Sequence, residues 1–285
     1  MSLSEVTVPF QNSFDLGIGL DSRNASPMGM AIQGKASQVD LASGATVRFE
    51  INRIESTAEL EDKLDITAQA SYAAGPFADV SGRFGFAQSS KIEKSSLSFA
   101  ITSIIKLAHV SINEPQLTPE ASSLVDNSLI FQSKFGDMFV RGLDRGGYFC
   151  AVMKLSTKDS DQAQEISASL SGAYALFSAE AKTKFDKIQN DHQSEVSISV
   201  YHEGGPLGLI MNTLNDPSQF YAMFQTWLKS FVDDPNHMAV PYAATLAPIA
   251  IANGPLPPNA NDDEFARDVL VRCAKREVNA LITSI

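Results

Sequence analysis

Phe135-Gly136-Asp137-Met138-Phe139-Val140-Arg141-Gly142-Leu143-Asp144-Arg145-Gly146-Gly147 is the stretch whose reading decides the fold. Phe135 and Phe139 bracket Gly136, and a glycine pair, Gly146-Gly147, closes the segment after six intervening residues. Glycine accepts φ > 0 and lets backbones approach closely. Bulges and glycine kinks are also the devices that give a sheet its curvature. The apolar run Phe149-Cys150-Ala151-Val152 follows, and Cys150 in it reads as a buried thiol.

On either side of this segment the sequence alternates with period two, which sends successive side chains to opposite faces of a strand. Before it, Leu64, Ile66, Ala68, Ala70 and Tyr72 alternate with Asp65, Thr67, Gln69 and Ser71, and Leu97, Phe99 and Ile101 alternate with Ser and Thr. After it, Ile166, Ala168, Leu170 and Tyr174 alternate with Glu165, Ser167, Ser169 and Ser171. Val196, Ile198 and Val200 alternate with Glu195, Ser197, Ser199 and Tyr201. These are two pairs of strand-like arms. Ala73 to Ser95, with Gly75-Pro76, separates the first pair, and Gly172 to Gln193, rich in helix formers from Ala179 to Ile188, separates the second. A nine-residue arm reaches about 30 Å, roughly the hydrocarbon thickness of a bilayer. The same alternation also describes any antiparallel sheet with one wet face.

Further out, Gly204-Gly205 follows the second pair. Ser218 to Val232 reads as a helix with Phe220, Met223, Phe224, Trp227, Leu228 and Phe231 on one core-facing side, and Pro119 to Phe131 as a helix with Leu124, Leu129 and Ile130 inward. The run 253–261, rich in Pro and Asn, divides a body of residues 1–255 from an extension, 256–285. Asp262-Asp263-Glu264 opens a helix in that extension which is expected to pack back on the body.

The bulk properties exclude more than they select. The 285 residues are 44% hydrophobic and 19% charged, and the net charge is −11. That charge speaks against nucleic acid as a partner, and against unaided adhesion to anionic lipid. No run of about 18 apolar residues encodes a membrane-crossing helix. The N-terminus lacks the basic start and apolar core of a secretory signal. The expectation is a soluble chain, cytoplasmic or secreted by another route. Cys150 and Cys273 allow one disulfide at most. The four histidines, His109, His192, His202 and His237, lack metal-ligand spacing, and no nucleophile elbow, phosphate loop or dinucleotide fingerprint occurs. The expectation is no enzyme, no metal and no cofactor.

The opening stretch resembles the signature of the membrane-attack-complex/perforin (MACPF) family, of the MACPF/cholesterol-dependent cytolysin superfamily: aromatic-Gly-Thr-His-aromatic, six residues, Gly-Gly. Phe135, Gly136, Phe139, Gly146 and Gly147 take the matching places, and Asp137 and Met138 replace the Thr-His pair. The order of parts is similar as well. Leu16 to Asp21 looks like the opening segment, Gly204-Gly205 like the bend after the second inserting segment, and Tyr242 to Pro248 like the closing strand. The likeness covers about residues 10 to 255.

The resemblance implies an α+β fold, a bent and twisted four-stranded antiparallel sheet flanked by two helical clusters, with the clusters at about Ala73 to Ser95 and Gly172 to Gln193. It implies a pore-forming protein whose monomers bind membrane lipid or a receptor and assemble into a homo-oligomeric ring. Each monomer then inserts two amphipathic hairpins with the apolar arm residues toward lipid. A separate membrane-targeting partner is one expectation, since no lipid-binding module follows the core. A non-lytic binding or interaction protein of the same fold is the alternative.

Overall fold

The computed structural model describes residues 5–24, 26–37, 45–64, 66, 80–92, 96–156, 196–207, 209 and 213–258, with the single residues 161, 164, 183, 186 and 190. Among the described residues ten strands carry the fold: β1 (Val6–Pro9), β2 (Ile18–Asp21), β3 (Ser26–Met30), β4 (Ile32–Ala36), β5 (Thr46–Ile54), β6 (Ser96–Lys106), β7 (Val110–Leu117), β8 (Met138–Ser156), β9 (Val196–Glu203) and β10 (Val240–Pro248). The helices are α1 (Thr57–Lys63), α2 (Val80–Ser89), α3 (Pro119–Ser122), α4 (Ser128–Phe135), α5 (Pro217–Asp233) and α6 (Pro235–Met238). The fold is α+β, with antiparallel pairing throughout the named strands.

At its centre lie four strands in the order β5-β6-β8-β9. The 19-residue β8 is the spine, and it changes partners at the glycine pair. Above Gly146 it runs between β6 and β9. Below, β10 replaces β9 on one side, while β7 and then β2 take over from β6 on the other. Gly146 itself faces Lys106 on one edge and Val240 on the other.

Both faces of the central sheet are covered. On one face Phe99, Ile101, Phe149, Met153, Ile198 and Val200 pack under Phe220, Phe224, Trp227 and Phe231 of α5. On the other, Ile54, Ala100, Tyr148, Cys150 and Val152 pack under Leu60 and Leu64 at the end of α1 and Phe86 and Ala87 of α2. Coverage on both faces explains why Ser98, Thr102 and Ser103 of β6 are buried along with their apolar neighbours.

Several sequence expectations need correction. Leu64 does not begin a strand. It caps α1, one turn beyond Leu60, and both are fully buried. The hydroxyl of Ser56 accepts from the Glu59 N–H, and this cap with the helix formers after it outweighs the alternation that starts at Leu64. Ile66 is half-buried outside any strand. The strand that pairs with β6 on the side away from β8 is β5, eighteen residues before the predicted arm when counted from Thr46 to Leu64. The segment 119–131 is two helices, because Asn127 caps a new start at Ser128. Phe131 and Phe135 face the core, while Leu129 and Ile130 are 79% and 44% exposed. By contrast α5 lies where periodicity put it, and β10 covers Tyr242 to Pro248, the segment that the resemblance marked as the closing strand. Helix α2 falls within the first predicted helical segment. Ala68, Ala70, Tyr72, Ile166, Ala168, Leu170 and Tyr174 lie outside the described residues, as does the predicted C-terminal helix.

Candidate functional site

The signature residues form the joint between β8 and β2. Phe135 and Phe139 are buried in one cluster with Ile32, Phe131 and Ile249, and Met138 is buried in another with Leu20 and Leu246. Gly136 has φ +75°, and a Cβ there would lie 2.1 Å from the Leu20 carbonyl oxygen. Asp137 accepts from the Ser22 N–H at 2.8 Å and from the Ser22 hydroxyl. Its backbone donates to Leu20 and accepts from Ile249. The role of these side chains in this chain is therefore to fasten strands.

The two glycine pairs, far apart in sequence, meet at one place. A Cβ on Gly204 would lie 3.2 Å from the Gly146 carbonyl oxygen. Gly204 and Gly205 have φ +73° and +85°, a left-handed run at the end of β9 that side chains disfavour. Helix α5 seals this bend. Phe231 lies where a Cβ of Gly147 would be, at 2.2 Å, and the Trp227 ring where a Cβ of Gly205 would be, at 2.5 Å. Trp227 Nε1–H donates to the Gly204 carbonyl at 3.2 Å, and His202 Nδ1–H to the same oxygen at 2.8 Å. The Gly205 N–H donates to Met238 at the end of α6, and Arg145 holds the carbonyls of Asn236 and Ala239. The bend is thus clamped by the α5–α6 pair. Gly147→Ala is expected to cost about 1–3 kcal/mol through overlap with the Phe231 ring. Phe231→Leu in the same chain should recover part of that loss, as read by urea unfolding.

The outer edge of β9 is covered at one point. Ile198 and Leu214 exchange both backbone hydrogen bonds, at 2.7 and 2.8 Å. In sequence Leu214 follows the Gly204-Gly205 bend, nine residues beyond Gly205. Across the sheet β5 pairs only with β6 among the described residues, and Val47 on it is exposed.

The predicted arms divide between the two faces. Leu97, Phe99, Ile101, Val196, Ile198 and Val200 are buried under α5. Leu64 lies on the opposite side, with α1 and α2. Periodicity within each arm could not relate one arm to another; the cross-strand register does.

Near the partner change, His109 Nδ1 lies 2.8 Å from Asp144 Oδ1. The hydrogen bond to Asp144 raises the His109 pKa against the opposing effect of partial burial. A raised folded pKa gives stability that is complete below the ordinary value of about 6.5 and is lost as pH rises through the folded value. His109 is partly exposed, so the effect should be under about 1 kcal/mol. His109→Gln is expected to remove that fall in stability between pH 6 and pH 8, measured by urea midpoints. Tyr242 is pushed up to about 12, chiefly by burial and then by Asp144. Cys150 is a free thiol whose pKa burial drives well up, so it is inert. Among the described residues no three His, Cys, Asp or Glu side chains gather as metal ligands, and no helix is long and apolar enough to cross a membrane.

No protein-family model and no curated protein matches the sequence. Among solved structures the chain is similar to stonustoxin, with 16% identity over 98% of this chain and 36% of that one and a TM-score of 0.44. It is similar to GNIP1Aa from Chromobacterium piscinae, with 14% identity over 98% and 57% and a TM-score of 0.34. It is also similar to the human-specific toxin intermedilysin, with 12% identity over 88% and 61% and a TM-score of 0.38. The chain spans less than two thirds of the length of each.

Proposed function

We propose that this chain is a pore-forming module of the MACPF/cholesterol-dependent cytolysin kind, which assembles on a membrane and extends two hairpins from its central sheet. The observation that carries the reading is the register of that sheet. Strands β5 and β6 end at Ile54 and Ser96, and β8 and β9 at Ser156 and Val196, all at one end. Two segments of about 40 residues, 55–95 and 157–195, interrupt the hairpins there. Extended, each arm of about 20 residues would span roughly 65 Å, ample for about 30 Å of hydrocarbon.

If the β5–β6 ladder, with Ile51 opposite Ile101, continues without a slip, Ile66 meets Phe86, Ala68 meets Phe84 and Tyr72 meets Val80. The turn then falls on Gly75-Pro76-Phe77, a sequence suited to a turn. All these apolar residues would share the face of Ile54 and Ala100. The opposite face would carry Asp65, Thr67, Gln69, Ser71, Ser81 and Arg83.

If the β8–β9 ladder, with Leu155 opposite Val196, continues likewise, Ile166 meets Phe185, Leu170 meets Ala181 and Tyr174 meets Phe177. Glu165, Ser167, Ser169, Lys182, Lys184 and Asp186 take the other face. Because Ala100 pairs with Val152, the apolar faces of the two hairpins coincide. Four separate segments thus give one continuous apolar surface backed by a polar one. A membrane barrel requires that arrangement, and only closure by neighbouring copies satisfies its edges.

In this reading the lipid-facing residues are Leu64, Ile66, Ala68, Ala70, Tyr72, Ile166, Ala168, Leu170 and Tyr174. Leu97, Phe99, Ile101, Val196, Ile198 and Val200 belong to the standing part of the sheet. Gly204-Gly205 is the hinge that uncovers β9 for the β5 edge of a neighbour. The net charge of −11 disfavours anionic lipid, so a neutral lipid, a receptor or a targeting partner would bring the chain to its membrane. Dye release from phosphatidylcholine vesicles, with and without sterol, tests the reading, with rings sought by negative-stain microscopy. Rings with leakage are expected. Membrane binding without leakage would favour the non-lytic alternative.

A further inference from the structure

We propose that Arg83 is a latch that couples release of the first helical segment to opening of the Gly204-Gly205 hinge. The proposal rests on the reading of segment 55–95 as an inserting hairpin. Arg83 sits on α2, yet its side chain is only 1% exposed and runs into the sheet. Its Nε lies 3.3 Å from Oε1 of Glu203, a carboxylate 10% exposed at the end of β9. Its Nη1 donates to the Leu64 carbonyl at the end of α1, at 3.0 Å. Its guanidinium carbon stands 5.1 Å from the centre of the Tyr148 ring on β8. One cation therefore bridges α1, α2, β8 and β9.

Glu203 is the residue immediately before the hinge. It accepts from the Tyr201 hydroxyl, and the next carbonyl, Gly204, is the one that His202 and Trp227 hold. A buried guanidinium is tolerated only while its countercharge and acceptors stay in place, because desolvation penalises each charge left alone. Departure of α2 takes the guanidinium away from Glu203, and a change of backbone direction at Gly204 starts at the residue whose carboxylate Arg83 holds. In the extended ladder Arg83 falls on the polar face, opposite Gln69, where the guanidinium regains water. The soluble state therefore holds both parts or releases both, and the coupling acts equally in either direction.

Hydrogen exchange on the full chain without membrane tests the coupling. In the wild type under low denaturant, the amides of α2 and the Gly205 amide, which donates to Met238 in the folded chain, are expected to open on one shared isotherm. Glu203→Gln should speed exchange in α2 at least tenfold, and Arg83→Met should speed exchange at Gly205 at least tenfold. The double variant should add little to either. Separate isotherms in the wild type would overturn the proposal whether or not the variants fold, as would variants that each loosen only their own element. A wild type that never releases dye from vesicles would remove the pore reading but leave this coupling to be judged by exchange alone.

Discussion

Ala168→Lys is expected to abolish dye release, a fall of at least 100-fold in rate, whereas Ser169→Lys should leave release within about threefold of the wild type. The two positions are adjacent and differ only in the face that the continued β8–β9 ladder assigns them. On the lipid face near mid-bilayer a lysine costs about 2–4 kcal/mol in a membrane barrel. A ring repeats that cost in every copy, so insertion should fail outright. On the lumen face the ammonium stays in water and joins Lys182 and Lys184, which the same register puts there. Circular dichroism and urea midpoints of both soluble variants provide the control for folding. Equal loss, or loss only at 169, would mean the ladder slips or does not extend.

Trp227→Ala should lower the stability of the soluble fold by about 3–5 kcal/mol. The indole is fully buried and stacks within 5.3 Å of Phe149, 6.0 Å of Phe224 and 5.0 Å of Phe231. It also gives its only polar hydrogen to Gly204, a bond worth about 1 kcal/mol. Trp227→Phe keeps most of the packing and loses the hydrogen bond, so its loss should be clearly smaller. The urea midpoint reads both. Because Trp227 covers Gly205, Trp227→Ala should also raise the protease sensitivity of the bend at 204–207 beyond what the global loss of stability explains.

What was legible in the sequence follows from which signals are local. The face of α5 repeats every three to four residues over four turns, so it could be located by inspection, whereas β10 was marked by its place in the order of parts. The glycine pairs could be found as glycines, but their meeting could not, since it depends on β8 and β9 pairing over a separation of more than fifty residues. β5 carries the same alternation, with Val47, Phe49 and Ile51 against Arg48, Glu50 and Asn52, but nothing local says that it, rather than Leu64 to Tyr72, pairs with β6. Leu97 to Ile101 and Val196 to Val200 lie toward α5 and Leu64 away from it, a relation that alternation within one arm does not carry. Arg83 gave no signal at all. An arginine between Gly82 and Phe84 looks like a solvated residue until Glu203 is found beside it.

The hinge and the latch share a physical logic. A glycine loses more conformational entropy on folding than any other residue, and a buried ion pair contributes little net stability. Neither is an economical way to hold a fold that never changes. Both are suited to a sheet that holds one arrangement firmly and gives it up as a unit.

Single cysteines placed in turn at 64 to 72 and 166 to 174, in a chain carrying Cys150→Ala and Cys273→Ser, can be labelled with an environment-sensitive dye and exposed to quenchers embedded in the bilayer. After assembly on vesicles, labels at the even positions of both runs should be quenched by the lipid-borne quencher, and those at the odd positions only by aqueous iodide. Labels that show no alternation, or that alternate with opposite phase in the two runs, would contradict the extension of the sheet in register.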